Sequence, residues 1–446
     1  MPGRTNKRKQ SSNVDGSALV ACKLWFASIY GGIPKSVFAI SFFGLFLGMS
    51  TTMIYSQIGM FMVTELHATK TTVAVTEGIV EFISFACRIL SGVVSDYLCE
   101  RKLILMFGCV ITLFARTMLS AVSSAYTIVM VQGTERVGNG MQATPRDALI
   151  ADISKPKDRG KAYGFSRTLK TIGCLVGSPL AILIMYLTAD NYRTVFMCAA
   201  IPVVVAIVCL VSIKIPGESD SMLASTKKLW RTLMKKNDES GRKLDSPFQR
   251  KYLNSLDIVF WKIIMMAFIY EMGHFSEILL PLYANQYISK TCAGAESMCV
   301  SIGQILLSYP IGLLADRYGR VNLIRVCMIC MILANLSFIF WKSINGVFVG
   351  AFLWGGQMTA IQGLFLSIIT QRIDKHITAT AIGVYYIVIG TAYFLSSTIA
   401  GRIWDKSGGG RSAFVYSLCV STVALLITRF FLKSEQNERQ GSAPVQ

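Results

Sequence analysis

The chain has 446 residues, of which 53% are hydrophobic and only 15% charged, against roughly 25% charged in an ordinary soluble domain. Together with a mean hydropathy of +0.51, this excludes a water-soluble globular protein: so much apolar surface needs a bilayer, in which each span satisfies its own backbone as a helix. The net charge of +19 is assigned to membrane topology and not to nucleic acid, because the basic residues gather in alternate connections.

In chain order, residues 1–35 are expected to form a cytoplasmic basic arm. Its opening, MPGRTNKRKQSSNVDGS, lacks the apolar centre of a cleavable signal, and the ALVACKLWFASIY that follows is short enough to lie on the membrane as an interfacial helix. Apolar runs then predict spans at 36–64, 73–95, 103–121, 125–148, 161–187 and 194–213. A polar stretch, 214–256, precedes six more at 258–288, 295–315, 323–341, 346–371, 377–401 and 413–432. The expected fold is therefore an all-α membrane protein of 12 transmembrane helices in two six-helix bundles, 36–213 and 257–432, with a cytoplasmic linker at 214–256 and a cytoplasmic tail at 433–446.

Orientation follows from the positive charges, which are retained on the cytoplasmic side. The arm holds 6 basic residues and the linker 10, whereas the opposite side holds only Lys70, Arg193, Lys290, Lys342, Arg402, Lys406 and Arg411. Both termini are expected in the cytoplasm, and the chain in a bacterial inner (plasma) membrane. The 12 cysteines mostly sit singly in apolar runs with no zinc spacing, and the one CxxC, Cys327 and Cys330, lies inside an apolar span, so they read as small core residues; Cys292 and Cys299, near an outer boundary, could pair, with helix packing the preferred reading.

The two halves repeat. GVVSDYLCERK follows the second span and GLLADRYGR the eighth, with Gly92 and Gly312, and likewise Asp96 and Asp316, 220 residues apart. Glycine lets helix ends approach closely, and an acid there can cap a neighbouring helix or pair with an arginine. Gly312, Asp316, Arg317, Gly319 and Arg320 match the GxxxDRxGR loop of the major facilitator superfamily, which the chain resembles over roughly 36–432. The first copy keeps Gly92, Asp96 and Arg101 but has Tyr97 and Cys99 where that family has arginine and glycine. RVGNGMQA adds the family's RxxxG pattern through Arg136 and Gly140. GCLVGSP resembles its antiporter motif through Gly173, Gly177 and Pro179, interrupted by Ser178. A third GxxxD, at Gly401 and Asp405, falls on the outer side and carries little weight alone. The resemblance implies alternating access, with the paired loops as an inner gate.

Charges inside spans mark functional positions, since burying an ion in the bilayer is costly. Arg136 lies about 15 Å into the fourth span at ~1.5 Å per residue. It is read as a substrate-anion or coupling group, with an interhelical salt bridge as the alternative; Glu135, ~100° around the helix, is not expected to neutralise it. Glu271, His274 and Glu277 fall at three-residue intervals and are expected near one face of the seventh span, suited to proton exchange or to a polar solute. Glu81 and Arg88, seven residues apart, are expected to need other partners. Tyr55 and Gln57 in the first span and Gln357 and Gln362 in the tenth are candidate neutral contacts.

The expected function is secondary transport of a small organic solute, with protons as the coupling ion and an anionic or zwitterionic solute favoured by the basic first half. No GxxxxGK[ST] loop supports ATP-driven pumping. The alternatives are a multidrug exporter and a non-transporting receptor with the same fold. No enzyme activity, cofactor, metal or nucleic acid is expected, and the partners are the bilayer, the solute and protons, with the chain acting as a monomer.

Overall fold

The computed structural model describes residues 34–98, 101–154, 159–212, 256–373 and 378–431. The expected basic arm and interfacial helix before residue 34, nearly all of the linker and the tail lie outside the described residues. The first half contains α1 (Lys35–Thr64), α2 (Lys70–Leu98), α3 (Arg101–Leu119), α4 (Ala125–Ile153), α5 (Arg159–Leu187) and α6 (Tyr192–Val211). The second half contains α7 (Ile258–Gly273), a short α8 (Leu279–Ala284), α9 (Glu296–Tyr318), α10 (Arg320–Phe340), α11 (Ile344–Arg372), α12 (Thr378–Ser407) and α13 (Arg411–Phe431). With α7 and α8 taken as one interrupted crossing, each half crosses six times. The expected span boundaries hold within a few residues elsewhere, although α12 runs on to Ser407 and so carries Asp405 on a helix instead of in an outer loop.

Helix starts are fixed locally. Ser124 and Ser343 receive the amides of Thr127 and Gly346 at the starts of α4 and α11, and Asp257 receives that of Ile258 at α7. Gly319, with φ +85°, makes the corner between α9 and α10, a conformation that suits glycine.

The halves pack alike. The first crossing lies on the fifth in each (α1 on α5, α7 on α12), and the fourth lies on the second and third (α4 on α2 and α3, α11 on α9 and α10). Two symmetric contacts join them, α2 with α12 and α5 with α9. Small residues permit the closest approaches: a Cβ on Gly173 or Gly177 of α5 would collide with the Leu45 or Met49 carbonyl of α1, and one on Gly140 with Cys87 of α2.

Which parts of the halves touch is visible in the cores. One cluster, at the end remote from the linker, mixes both halves, with Phe61, Phe196 and Ile58 beside Phe275, Tyr283 and Trp404. Toward the linker end the cores separate, one around Phe43, Met106 and Leu149 and another around Phe260, Phe365 and Tyr385, into which, among the described residues, only Phe85 reaches from the first half. The molecule is thus closed at the far end and divided at the linker end. Its outer surface carries large apolar side chains such as Leu90, Phe114, Val208, Leu306 and Leu333, as lipid contact requires.

Three polar seams hold the far end shut. Asp405 of α12 receives the backbone amides of Lys70 (3.1 Å) and Thr71 (2.8 Å) and the Thr71 hydroxyl (2.6 Å), capping α2 from the other half. Gly401, one turn earlier, lies against the backbone of Lys70 and Thr71. Asp190 pairs with Lys290 (3.4 Å) and receives the Thr291 hydroxyl (2.6 Å), and Ser178 donates to the Gly294 carbonyl (2.6 Å). The third GxxxD, discounted in the sequence, is the one whose helix-capping contact is seen directly.

Candidate functional site: a charged cavity between the bundles

Eight helices among the described residues are long and apolar enough to cross a membrane on hydropathy alone. The crossings outside that set, α2, α4, α7 with α8, and α9, are interrupted or carry ionisable groups, and these groups meet in the interior. They line much of a cavity of about 330 Å³ between the halves. Its first-half wall includes Tyr55, Glu81, Arg88, Arg136, Arg146 and Lys170; its second-half wall includes Glu271, His274, Glu277, Glu296, Gln362 and Tyr393.

The wall contributed by α7 depends on a break in the helix. α7 ends at Gly273 and α8 begins at Leu279, so residues 274–278 cross the interior outside regular helix, held locally only by three-residue turn bonds such as Leu279 N–H to the Ser276 carbonyl. This corrects the expectation of one continuous helix bearing Glu271, His274 and Glu277 on a face: the three are brought together by the break. Non-helical backbone survives at membrane depth only when its polar groups are recaptured. Here Ser396 and Tyr416 donate to the Met272 carbonyl (2.8 and 2.7 Å), Ser417 donates to that of Gly273 (2.5 Å), and the Ser276 amide donates to the Ser397 hydroxyl (3.1 Å).

His274 Nδ1 stands 3.5 Å from a Glu271 oxygen, and its ring stacks on Trp354 at 4.9 Å between centroids. Its Nε2 is buried without a hydrogen-bond partner. Glu277 likewise has a buried oxygen with no partner, whereas Glu296 receives the Ser297 hydroxyl at 2.7 Å.

The first-half wall is an ion-pair network. Arg136 meets Glu77 at 3.0 Å, Glu81 at 3.8 Å and Glu135 at 3.9 Å, and its guanidinium lies 5.6 Å from the centre of the Tyr55 ring. Arg116, fully buried, meets Glu135 at 2.9 Å and donates to the hydroxyls of Ser50 and Thr51. Two expectations are corrected. Glu135 does contact Arg136, because their side chains bend toward one another despite their angular separation. Glu81 and Arg88 reach each other, at 3.9 Å, because two long side chains span two helical turns. The salt-bridge alternative for Arg136 is therefore present, while the residue also lines the cavity.

Gln57 and Gln357 do not reach the cavity. Gln57 is buried near Gly294, and Gln357 accepts a hydrogen bond from Tyr270. Of the loop motifs, Arg101 pairs with Asp152 at the start of α3, Arg317 lies against the Tyr318 ring, and Arg320 begins α10. Gly92 and Gly312 fall within α2 and α9, and the side chains of Asp96 and Asp316 lie outside what the structure describes. Pro179 lies within α5, after the Ser178 that contacts Gly294. Cys292 and Cys299 are free thiols.

Sequence reasoning missed Glu77, fully buried, and Glu296, 1% exposed. Glu77 could have been found from its spacing four residues before Glu81, which puts both acids on the α2 face that meets Arg136. Glu296 read as a boundary residue because nothing in the sequence shows that 290–295 form a 3₁₀ turn tucked between the halves.

This arrangement of two pseudo-repeated bundles around a charged central cavity is that of a membrane transporter. The profile of the Major Facilitator Superfamily matches residues 40–289 and 263–446, and the chain belongs to that superfamily. It is 24% identical to an uncharacterised MFS-type transporter of Methanocaldococcus jannaschii over 89% of this chain and 95% of that one. A glycine betaine/proline/ectoine/pipecolic acid transporter of Dickeya dadantii is 22% identical over 37% of this chain and 35% of its own. Among solved structures, a POT family transporter in complex with a thioalcohol-conjugated peptide superposes with a TM-score of 0.68 at 11% identity, covering 91% of this chain and 96% of that one. The nucleoside transporter NupG does so with 0.65 at 13%, covering 90% and 99%. At such identities the likeness is one of fold. The protein is an integral, multi-pass membrane protein of a secondary-transporter family.

Proposed function

We propose that the chain moves a small organic solute through the central cavity by alternating access, with protons as the coupling ion. The observation that carries this reading is the asymmetry of closure: the halves share a core and three polar seams at the far end, yet are divided at the linker end, with an ionisable cavity between. Rocking the halves about that cavity would open it to the other side. With basic loops retained inside, the linker end and both termini face the cytoplasm of a bacterial plasma membrane, and this is the inward-facing state. The domains are then the arm 1–35, the bundles 36–213 and 257–432, the linker 214–256 and the tail 433–446.

Glu271 is the coupling group in this reading. It pairs with His274 at the helix break and shares the cavity with Glu277, Glu296, Glu81, Lys170, Arg136 and Tyr393. The charged walls favour a polar solute over the amphipathic compounds of a multidrug exporter. The test uses proteoliposomes and a labelled solute chosen by a thermal-stabilisation screen. Glu271→Gln should abolish accumulation driven by a pH gradient while solute exchange across a shared gradient survives. Accumulation at the parental level would remove Glu271 from the coupling role.

A further inference from the structure

Resting on the transporter reading for its location, we propose that the cavity is a site for a small zwitterion carrying one carboxylate and one ammonium group. The charges are partitioned by wall. From the first half come Arg88, Arg136, Arg146 and Lys170 with the single acid Glu81; from the second come Glu271, Glu277 and Glu296 with no lysine or arginine.

Most of these charges are already engaged. Arg136 has Glu77, Arg88 has Glu81, and Arg146 has Asp147 at 3.0 Å. Glu271 has His274, and Glu296 has the Ser297 hydroxyl. Two remain: Lys170, which forms no ion pair or hydrogen bond with another described residue, and Glu277, with one buried oxygen unpartnered. One is a cation on α5, the other an acid in the broken segment after α7, and both line the same cavity.

Lys170 is exposed to the cavity, and Glu277 is half-buried with one enclosed oxygen unpartnered, so each presents an unneutralised group to a solute there. A simple carboxylate would satisfy Lys170 and leave Glu277; a simple amine would do the reverse. A molecule with both groups answers both walls, and His274 Nε2, 2% exposed as a residue and unpartnered, offers a further polar contact. The cavity of about 330 Å³ is at the lower end of the ~300–1,000 Å³ of ligand pockets. That suits an amino acid or a short peptide.

The test is equilibrium binding to the full chain in lipid nanodiscs. The probes are the proteinogenic amino acids and a dipeptide library, and each binder is compared with its deaminated and decarboxylated counterparts. At least one zwitterion should bind about tenfold or more tighter than both counterparts. Lys170→Met should erase the advantage over the amine while amine binding persists, and Glu277→Gln should erase the advantage over the carboxylate while carboxylate binding persists. The retained arm in each variant shows that the protein is folded. Binding of a counterpart as tightly as its zwitterion, a pattern unchanged by both substitutions, or no binding by any zwitterion would overturn the proposal. A zwitterion that binds but is never accumulated leaves this site assignment standing and removes the transport reading. Accumulation of a singly charged or neutral solute alone does the opposite.

Discussion

Arg116 is 0% exposed and holds Glu135, which in turn touches Arg136. Removing one member of a buried ion pair leaves the other unsatisfied, at a cost of about 3–5 kcal/mol. Arg116→Met is therefore expected to lower the unfolding temperature of the detergent-solubilised protein markedly, and Arg116→Met with Glu135→Gln to recover part of the loss. An unchanged melting curve in the single variant would show that the network carries no stability. This network was only half legible in the sequence. Charged residues within spans were conspicuous, and Arg136 stood out by its depth, but partners on α2, α3 and α4 are set by helix rotation and side-chain reach, which spacing along one helix does not reveal. Gln57 and Gln357 show the same limit: a polar residue in a span faces either a cavity or a neighbouring helix, and only packing decides which.

At the scale of elements, helix identity and order could be read from hydropathy, because each crossing must be long, apolar and self-bonded. The break in the seventh crossing could not, since residues 274–278 continue an acceptable pattern. What permits the break is a set of hydroxyls from α12 and α13, more than 120 residues away in sequence. The far-end seam built on Asp405 is a second such case. Its GxxxD looked incidental until α2 was seen to begin at that carboxylate. Asp405→Ala should remove an N-terminal cap worth about 1 kcal/mol, which corresponds to roughly a fivefold shift between two states. Spin labels at His67 and Lys406, exposed residues that flank the seam in sequence, should report a larger far-end-open fraction in the variant. An identical distance distribution would mean that the seam does not bias the equilibrium.

For the whole molecule, the two-bundle architecture was the most legible feature, through the 220-residue offset of its motifs and the alternation of basic loops. The state of closure was not, because a sequence compatible with alternating access encodes both states and the structure shows one. In this state the far end is sealed by a common core and three polar seams, and the cavity lies where the two halves part. On the transporter reading, this cavity carries solute across the membrane and a proton gradient drives it. The most direct measurement is uptake by proteoliposomes containing the parent protein, offered a mixture of labelled amino acids and dipeptides under an imposed pH gradient of either sign. Accumulation above equilibration under one sign of gradient, collapsed by a protonophore, is the expected result. Saturable binding with no accumulation under either sign would rule out transport and identify a receptor that has kept the fold.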